Sequence, residues 1–148
     1  MDMVVSETLR KWPIVVIIDR VCTKPYTIEV KYPDEKPVHF KVGPPIFGPV
    51  FAIHRDPNYY PEPERFDPGR FNDQNKRKIK PYTYLPLGKG PRECTALRLG
   101  LLEAKTLFFY ILSSFKIAAV EKSPIPLKIT KKRMTMYAEG RFKCRTRT

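Results

Sequence analysis

The hydrophobic positions divide the chain into stretches of different period. In MVVSETLRKW (3–12), Val4, Val5, Thr8, Leu9 and Trp12 fall near one helical face. Pro13 ends that run, because a residue preceding proline avoids helical geometry. Only a few turns precede this stop, so Met1 is expected to fall inside an element rather than ahead of one. IVVII (14–18) is β-branched and short, which predicts a strand. YTIEVKYPDEKPVHFKV (26–42) alternates, breaks at Pro33-Asp34-Glu35-Lys36 and alternates again, the pattern of a hairpin. GPPIFGP (43–49) is a cluster of breakers. Leu97, Leu101, Ala104, Phe108, Leu112 and Phe115 form one helical stripe, widened by Leu107, Phe109 and Ile111. A helix over 97–115 that is apolar around most of its girth is expected to be buried in something large. Past Pro124 and Pro126, two short strands are expected around Glu139-Gly140.

Most of the 16 prolines lie between Pro25 and Pro91. Such density usually means disorder. Here Phe47, Phe51, Tyr59, Tyr60, Phe66, Phe71, Tyr82 and Tyr84 are spread through it, enough apolar area to pin a proline-rich coil against a core. Residues 55–86 therefore read as an ordered meander with one helical turn. There is no internal repeat, and 148 residues suit one small domain.

Charge narrows the partners. The chain carries 28 basic and 15 acidic side chains, a net charge of +13. The excess concentrates in NKRKIK (75–80) and in the stretch after Thr130. Either run is a solvated basic face or a surface for acidic protein, membrane or nucleic acid. The apolar runs IVVII and LFFYIL (107–112) are much shorter than the ~18 residues of a membrane span. Asp2 and the lack of an apolar core in MDMVVSETLRK exclude a signal peptide over those residues. Cys22, Cys94 and Cys144 are odd in number and far apart, without a CxxC pair or a Cys/His cluster. Neither a zinc site nor a disulfide framework is expected, and a reducing compartment fits best.

One cysteine stands out. In YLPLGKGPRECTALRLG, Cys94 follows Gly88, Gly90, Pro91 and Arg92 and opens onto the 97–115 helix. A thiol at a helix N-terminus, near Arg92 and Arg98, is biased towards thiolate. The glycines permit positive φ or close approach of a flat object, and the proline stiffens the turn. A lone cysteine in a turn is more often an inert core thiol, so the neighbours carry the argument.

Gly88-x-Gly90-x-Arg92-x-Cys94 resembles the haem-binding loop of the cytochrome P-450 family of haem-thiolate monooxygenases, Phe-x-x-Gly-x-Arg-x-Cys-x-Gly. Leu87 stands where that pattern has Phe, and Ala96 where it usually has Gly. Glu7-Thr8-Leu9-Arg10 resembles the family's Glu-x-x-Arg helix, and HRDP (54–57) with PEPERFDPGRF (61–71) its meander. Arg70 matches the arginine of a Glu-Arg-Arg triad, although Gly69 replaces a Glu. DRVC (19–22) is similar to the segment whose arginine, here Arg20, binds a haem propionate. Leu99-Gly100 and the prolines of GPPIFGP also depart from the pattern, the latter falling where the family has a strand. The overall tone resembles the microsomal, xenobiotic-oxidising branches of animals.

The resemblance implies an α+β chain, the C-terminal portion of a mostly helical fold. Its parts would be the ExxR helix (1–12), a β region (13–54), the meander (55–86), the cysteine loop (87–96), the long helix (97–115) and terminal strands (116–148). It implies haem (heme, iron protoporphyrin IX) as cofactor, with Cys94 as the metal ligand. Arg92 and Arg20 would hold propionates, and Leu87, Gly88, Gly90 and Ala96 would shape the loop. Glu7, Arg10 and Arg70 would form a structural triad. Ile14, Val15, Val16, Met134 and Met136 would line the substrate side, or be plain strand core. An NADPH-dependent flavoprotein reductase would dock on the basic face of Lys76 to Lys80, Lys89 and Lys105, and the substrate would be a lipophilic small molecule. Localisation would be the cytosolic face of the endoplasmic reticulum membrane, with membrane association through a missing N-terminal part. The family's oxygen-side machinery has no counterpart here, so the chain is expected to be a fragment, inactive alone. A basic module binding nucleic acid or acidic protein, and a non-functional remnant, are the alternatives. No RNA-binding or zinc-finger signature supports nucleic acid as a partner.

Overall fold

The structure, a computed structural model, describes residues 1–121, 123, 129–130, 135–136, 138–139 and 144–147. Helix α1 (Asp2–Lys11) begins with Asp2 near the positive end of its dipole and ends with Arg10 and Lys11 near the negative end. It stops at Trp12, as Pro13 requires. Strand β1 (Ile18–Val21) pairs antiparallel with β4 (Pro45–Gly48), and β2 (Tyr26–Ile28) with β3 (Val38–Phe40). Short α2 (Val50–Ile53) leads into the meander, which makes 3-10 turns at Pro68–Phe71 and Lys76–Lys78. Helix α3 spans Leu97–Ser114, and β5 (Lys116–Ala119) pairs antiparallel with β6 (Cys144–Arg147). Among the described residues, three small antiparallel sheets beside three α-helices fit the α+β expectation.

The expected hairpin is present, although its ladder covers only Tyr26–Ile28 against Val38–Phe40. Two expectations need correction. IVVII is not a strand in itself. Val15 makes a single antiparallel bridge to Thr135, and the ladder starts only at Ile18, where β4 runs alongside. β-Branching favours extended backbone, but a strand also needs a partner in register. GPPIFGP, conversely, is more than a breaker cluster, since it supplies β4. Pro45 is the first residue of that strand and pairs with Val21 at the end of the ladder, where a missing N–H is tolerated. Pro44 contributes its carbonyl, which accepts from Cys22 N–H at 3.2 Å. Helix α3 has no buried residue, and Leu102 and Phe109 are each 60% exposed, so the cover that its apolar girth calls for is not among the described residues.

At the C-terminal end, Ile129 bridges Ala138, and the strand at 144–147 lies on β5. The Gly140 side of the expected turn falls outside the described residues, as does Met134.

The buried interior lies between α1 and the meander. Val50, Tyr60, Phe71 and Leu85 provide its apolar part. Its largest fully buried side chains include Arg10, His54 and Glu7. α1 packs against the 3-10 turn Pro68–Phe71, where Asp67 caps the turn by accepting from Gly69 N–H.

Candidate functional site

Helical spacing of three places Glu7 and Arg10 on one face of α1, and both are fully buried. Arg10 Nε donates to Glu7 Oε2 at 2.7 Å and its Nη2 donates to Oε1 at 2.9 Å. The remaining donors go to backbone: Nη1 to the His54 carbonyl and Nη2 to the Pro63 carbonyl, both at 2.7 Å. Glu7 Oε1 also accepts from the Asp67 N–H at 2.9 Å. Every charge-bearing atom of the pair thus has a partner, which is what makes burial of two charges tolerable. Arg70 joins at longer range. Its Nε lies 3.7 Å from Glu7 Oε1 without a hydrogen bond, while its Nη2 donates to the Glu62 carbonyl at 3.0 Å. The structure therefore brings Glu7, Arg10 and Arg70 together.

His54 joins this knot to the cysteine loop, and reading the sequence for motifs missed it. As a motif, HRDP marks only the meander. The signal available was the histidine itself, set among Tyr60 and Tyr84 and 31 residues ahead of Leu85. Its Nδ1–H donates to the Arg10 carbonyl at 3.1 Å, and its Nε2 accepts from Leu85 N–H at 2.8 Å. The ring stacks on Tyr84 and meets Tyr60 edge-on. Desolvation, with the Arg10 and Arg55 charges adding to it, pushes His54 from the ordinary 6.5 down to about 4, against the opposing hydrogen bond to Arg10. Burial raises the phenols of Tyr60 and Tyr84 above their ordinary value. Tyr60 donates to the Thr83 carbonyl at 3.1 Å and Tyr84 to the Ser6 carbonyl at 3.0 Å.

Beyond Leu85 the chain turns twice through positive φ, at Gly88 (+84°) and Gly90 (+85°). A side chain at either position would be strained. A Cβ at Gly90 would meet nothing within 4 Å, so there the glycine answers to backbone shape rather than to crowding within the described residues. Gly88 N–H donates to the Leu85 carbonyl at 3.3 Å and Glu93 N–H to the Gly90 carbonyl at 2.9 Å. Cys94 N–H returns to the Leu87 carbonyl at 3.1 Å, closing the loop. Cys94 is exposed and free, and Leu97 N–H, first in α3, donates to its carbonyl at 3.2 Å. Ala96 stands at the N-cap without a side-chain cap.

Arg20, on β1, reaches across to this loop. Its Nη2 donates to the Lys89 carbonyl at 3.2 Å and its Nη1 to the Asp19 carbonyl at 2.6 Å. Arg92 is exposed and makes no ion pair among the described residues. Lys76, Lys80 and Lys89 line one cavity of about 330 Å³ with Tyr82 and Tyr84. Lys105 is paired with Asp2 at 2.7 Å, whose carboxyl this hydrogen bond and charge hold below the usual carboxylate value. The segments holding Ile14, Val15 and Met136 also meet, since Met136 N–H donates to the Ile14 carbonyl at 3.1 Å. Val16 and Met136 line a mostly apolar cavity of about 510 Å³ with Phe51 and Ala52, whereas Ile14 is half exposed.

Comparison with known proteins places the chain. The profile of the family Cytochrome P450 matches residues 1–144. The chain is 47% identical over 142 residues to Cytochrome P450 9e2 of Blattella germanica, covering 96% of this chain and 26% of that protein. It is 42% identical over 142 residues to Probable cytochrome P450 9f2 of Drosophila melanogaster, covering 96% and 27%. It is 41% identical over 131 residues to Cytochrome P450 3A9 of Rattus norvegicus, covering 88% and 25%. The chain belongs to the cytochrome P450 family. It spans about a quarter of the length of the curated relatives it matches.

The residues present fit the haem that this family implies. Among the described residues no group of three or more His, Cys, Asp or Glu side chains could hold a bare metal ion. An iron porphyrin asks one face of the protein for a single soft donor, clear space above it and cations for its carboxylates. The exposed Cys94, the open Gly90 turn and the guanidinium groups of Arg20 and Arg92 meet those three demands. No described helix is long and apolar enough to cross a membrane.

Proposed function

We propose that this chain is the haem-thiolate segment of a monooxygenase that oxidises lipophilic small molecules with O2. The observation that carries the reading is the loop from Leu87 to Cys94, drawn closed by its own hydrogen bond with the thiol left exposed and Arg20 tied across it. Cys94 is the iron ligand. Haem held through the Cys94 thiolate would supply the electron density that favours O–O cleavage. Gly88 and Gly90 keep bulk away from the sulfur through their positive-φ turns, and Leu87 and Ala96 shape the loop on either side. Arg92 and Arg20 pair with propionates through charge-assisted hydrogen bonds. Arg20 is already held beside the loop by its bond to Lys89, so little of its rotamer entropy is left to lose. Glu7, Arg10 and Arg70 are structural and hold the meander under the loop. Val16 and Met136 belong to the substrate side with Ile14, Val15 and Met134. Electrons arrive from an NADPH-dependent flavoprotein reductase, steered by Lys76, Lys80 and Lys89, and such docking weakens with salt. The cytosolic face of the endoplasmic reticulum is the site of action.

The test is spectroscopic. The chain is expressed with hemin, reduced and exposed to carbon monoxide. A red-shifted Soret band that disappears in Cys94→Ser is expected. Hemin binding no tighter in the native chain than in Cys94→Ser overturns the assignment of Cys94.

A further inference from the structure

We propose that His54 is a positioning residue for the cysteine loop, fixing the placement of Cys94 through the backbone of Leu85. The hydrogen bonds form a nearly continuous relay. The Arg10 carbonyl accepts from His54 Nδ1–H, and His54 Nε2 accepts from Leu85 N–H. The Leu85 carbonyl accepts from Gly88 N–H, and the adjacent Leu87 carbonyl accepts from Cys94 N–H. The first link is anchored by Arg10, whose Nη1 returns to the His54 carbonyl.

This arrangement admits one protonation state. A carbonyl can only accept, so the proton sits on Nδ1. A backbone N–H can only donate, so Nε2 is bare. A second proton would face the Leu85 N–H directly, with no acceptor in place. His54 is fully buried, so water cannot rescue the broken bond. The groups that face the ring argue against its charging. Arg10 comes from α1, with its charge paired to the Glu7 carboxylate, Arg55 follows in the chain, and the neutral phenols of Tyr60 and Tyr84 pack on the ring. Stacking on Tyr84 adds a second restraint, because Tyr84 is bonded to Leu85 and anchored to α1 through Ser6. The loop's register thus depends on a neutral imidazole 40 positions before the thiol. The inference concerns the loop's geometry. Only its value for iron ligation rests on the function proposed above.

Two isosteres separate the ring's two bonds. A Gln side chain can carry an acceptor to the place of Nε2, and an Asn can carry a donor to the place of Nδ1. Amide hydrogen exchange of the full chain at pH 7 gives the readout, referred to intrinsic exchange rates. Leu85, Gly88 and Cys94 amides should lose about tenfold or more of their protection in His54→Asn and keep most of it in His54→Gln. α3 amides should be the same in both variants. In the native chain, lowering the pH from 7 to 4 should release Leu85 before the α1 amides. Equal protection of the loop in the Asn and Gln variants overturns the proposal, as does a Leu85 amide unprotected in the native chain. Loss of hemin binding with the exchange pattern intact would count against the assigned function and leave the positioning role standing.

Discussion

The knot between α1 and the meander and the long helix α3 reverse the usual distribution of polar and apolar side chains. In the knot, Glu7, Arg10 and His54 are fully buried. On α3, Leu102 and Phe109 are each 60% exposed, and Leu99, Leu107 and Tyr110 are similarly open. The difference lies in what each region has to satisfy. Charged and polar groups need directional partners, and this chain supplies them within itself: the Glu7 carboxylate, main-chain carbonyls and the His54 imidazole close the network. Apolar side chains need only area, and the described residues offer α3 little. A groove of about 610 Å³ between α1 and α3, walled by Val4, Val5, Leu9, Phe108 and Leu112, shows how loosely the two helices meet. The region rich in ionisable groups is therefore the self-sufficient one, and the oily helix is not.

The sharpest way to break this contrast is to remove one member of the buried pair. Arg10→Ala leaves the Glu7 carboxylate and several carbonyls unpaired, and should cost about 3–5 kcal/mol. The single Trp12 sits 6.0 Å from the Phe66 ring, so its fluorescence during urea unfolding reports on this region. A loss below 1 kcal/mol would mean that the knot does not hold the fold.

Acid gives the next largest effect. The folded value for His54 lies near 4, below the unfolded 6.5. Between these values the unfolded chain binds the extra proton, so stability rises with pH across that window. The contribution is complete above pH 6.5 and is lost as pH falls towards 4. It amounts to about 3 kcal/mol, read from the pH dependence of the urea midpoint. His54→Gln should flatten that part of the profile.

Tyr60→Phe deletes one buried hydrogen bond to Thr83 and keeps the ring. About 1 kcal/mol is expected, together with faster exchange of amides around Thr83. The smallest change belongs to the other region. Phe109→Ser, on the open side of α3, should shift stability by no more than about 0.5 kcal/mol while raising solubility. A loss of several kcal/mol there would erase the distinction between the two regions.

Much of this arrangement was legible in the residues. The period of α3, the stop at Pro13 and the turn at 33–36 follow from local geometry, which a short window of sequence contains. So does the likeness of Gly88, Gly90, Arg92 and Cys94 to a haem loop. Strand β4 was not legible, because its prolines argue against pairing until one sees that Pro45 occupies the end of a ladder with one neighbour. The apolar girth of α3 was legible, but periodicity reports what a helix wants to touch, and the described residues do not supply that contact. His54 was invisible as a linker because its partners are 44 and 31 positions away and two of them are main-chain atoms, which leave no trace in composition.

Arg10 has one consequence for how the molecule comes into being. Its guanidinium collects carbonyls 44 and 53 positions downstream. During synthesis at about 5–20 residues per second, a helix carrying that cation leaves the ribosome seconds before its acceptors exist. Through that interval the side chain can pair with Glu7 but not with those carbonyls. Maturation of the fold around it is thus gated by translation of the proline-rich stretch, and codons that slow the passage through 54–67 would prolong the wait.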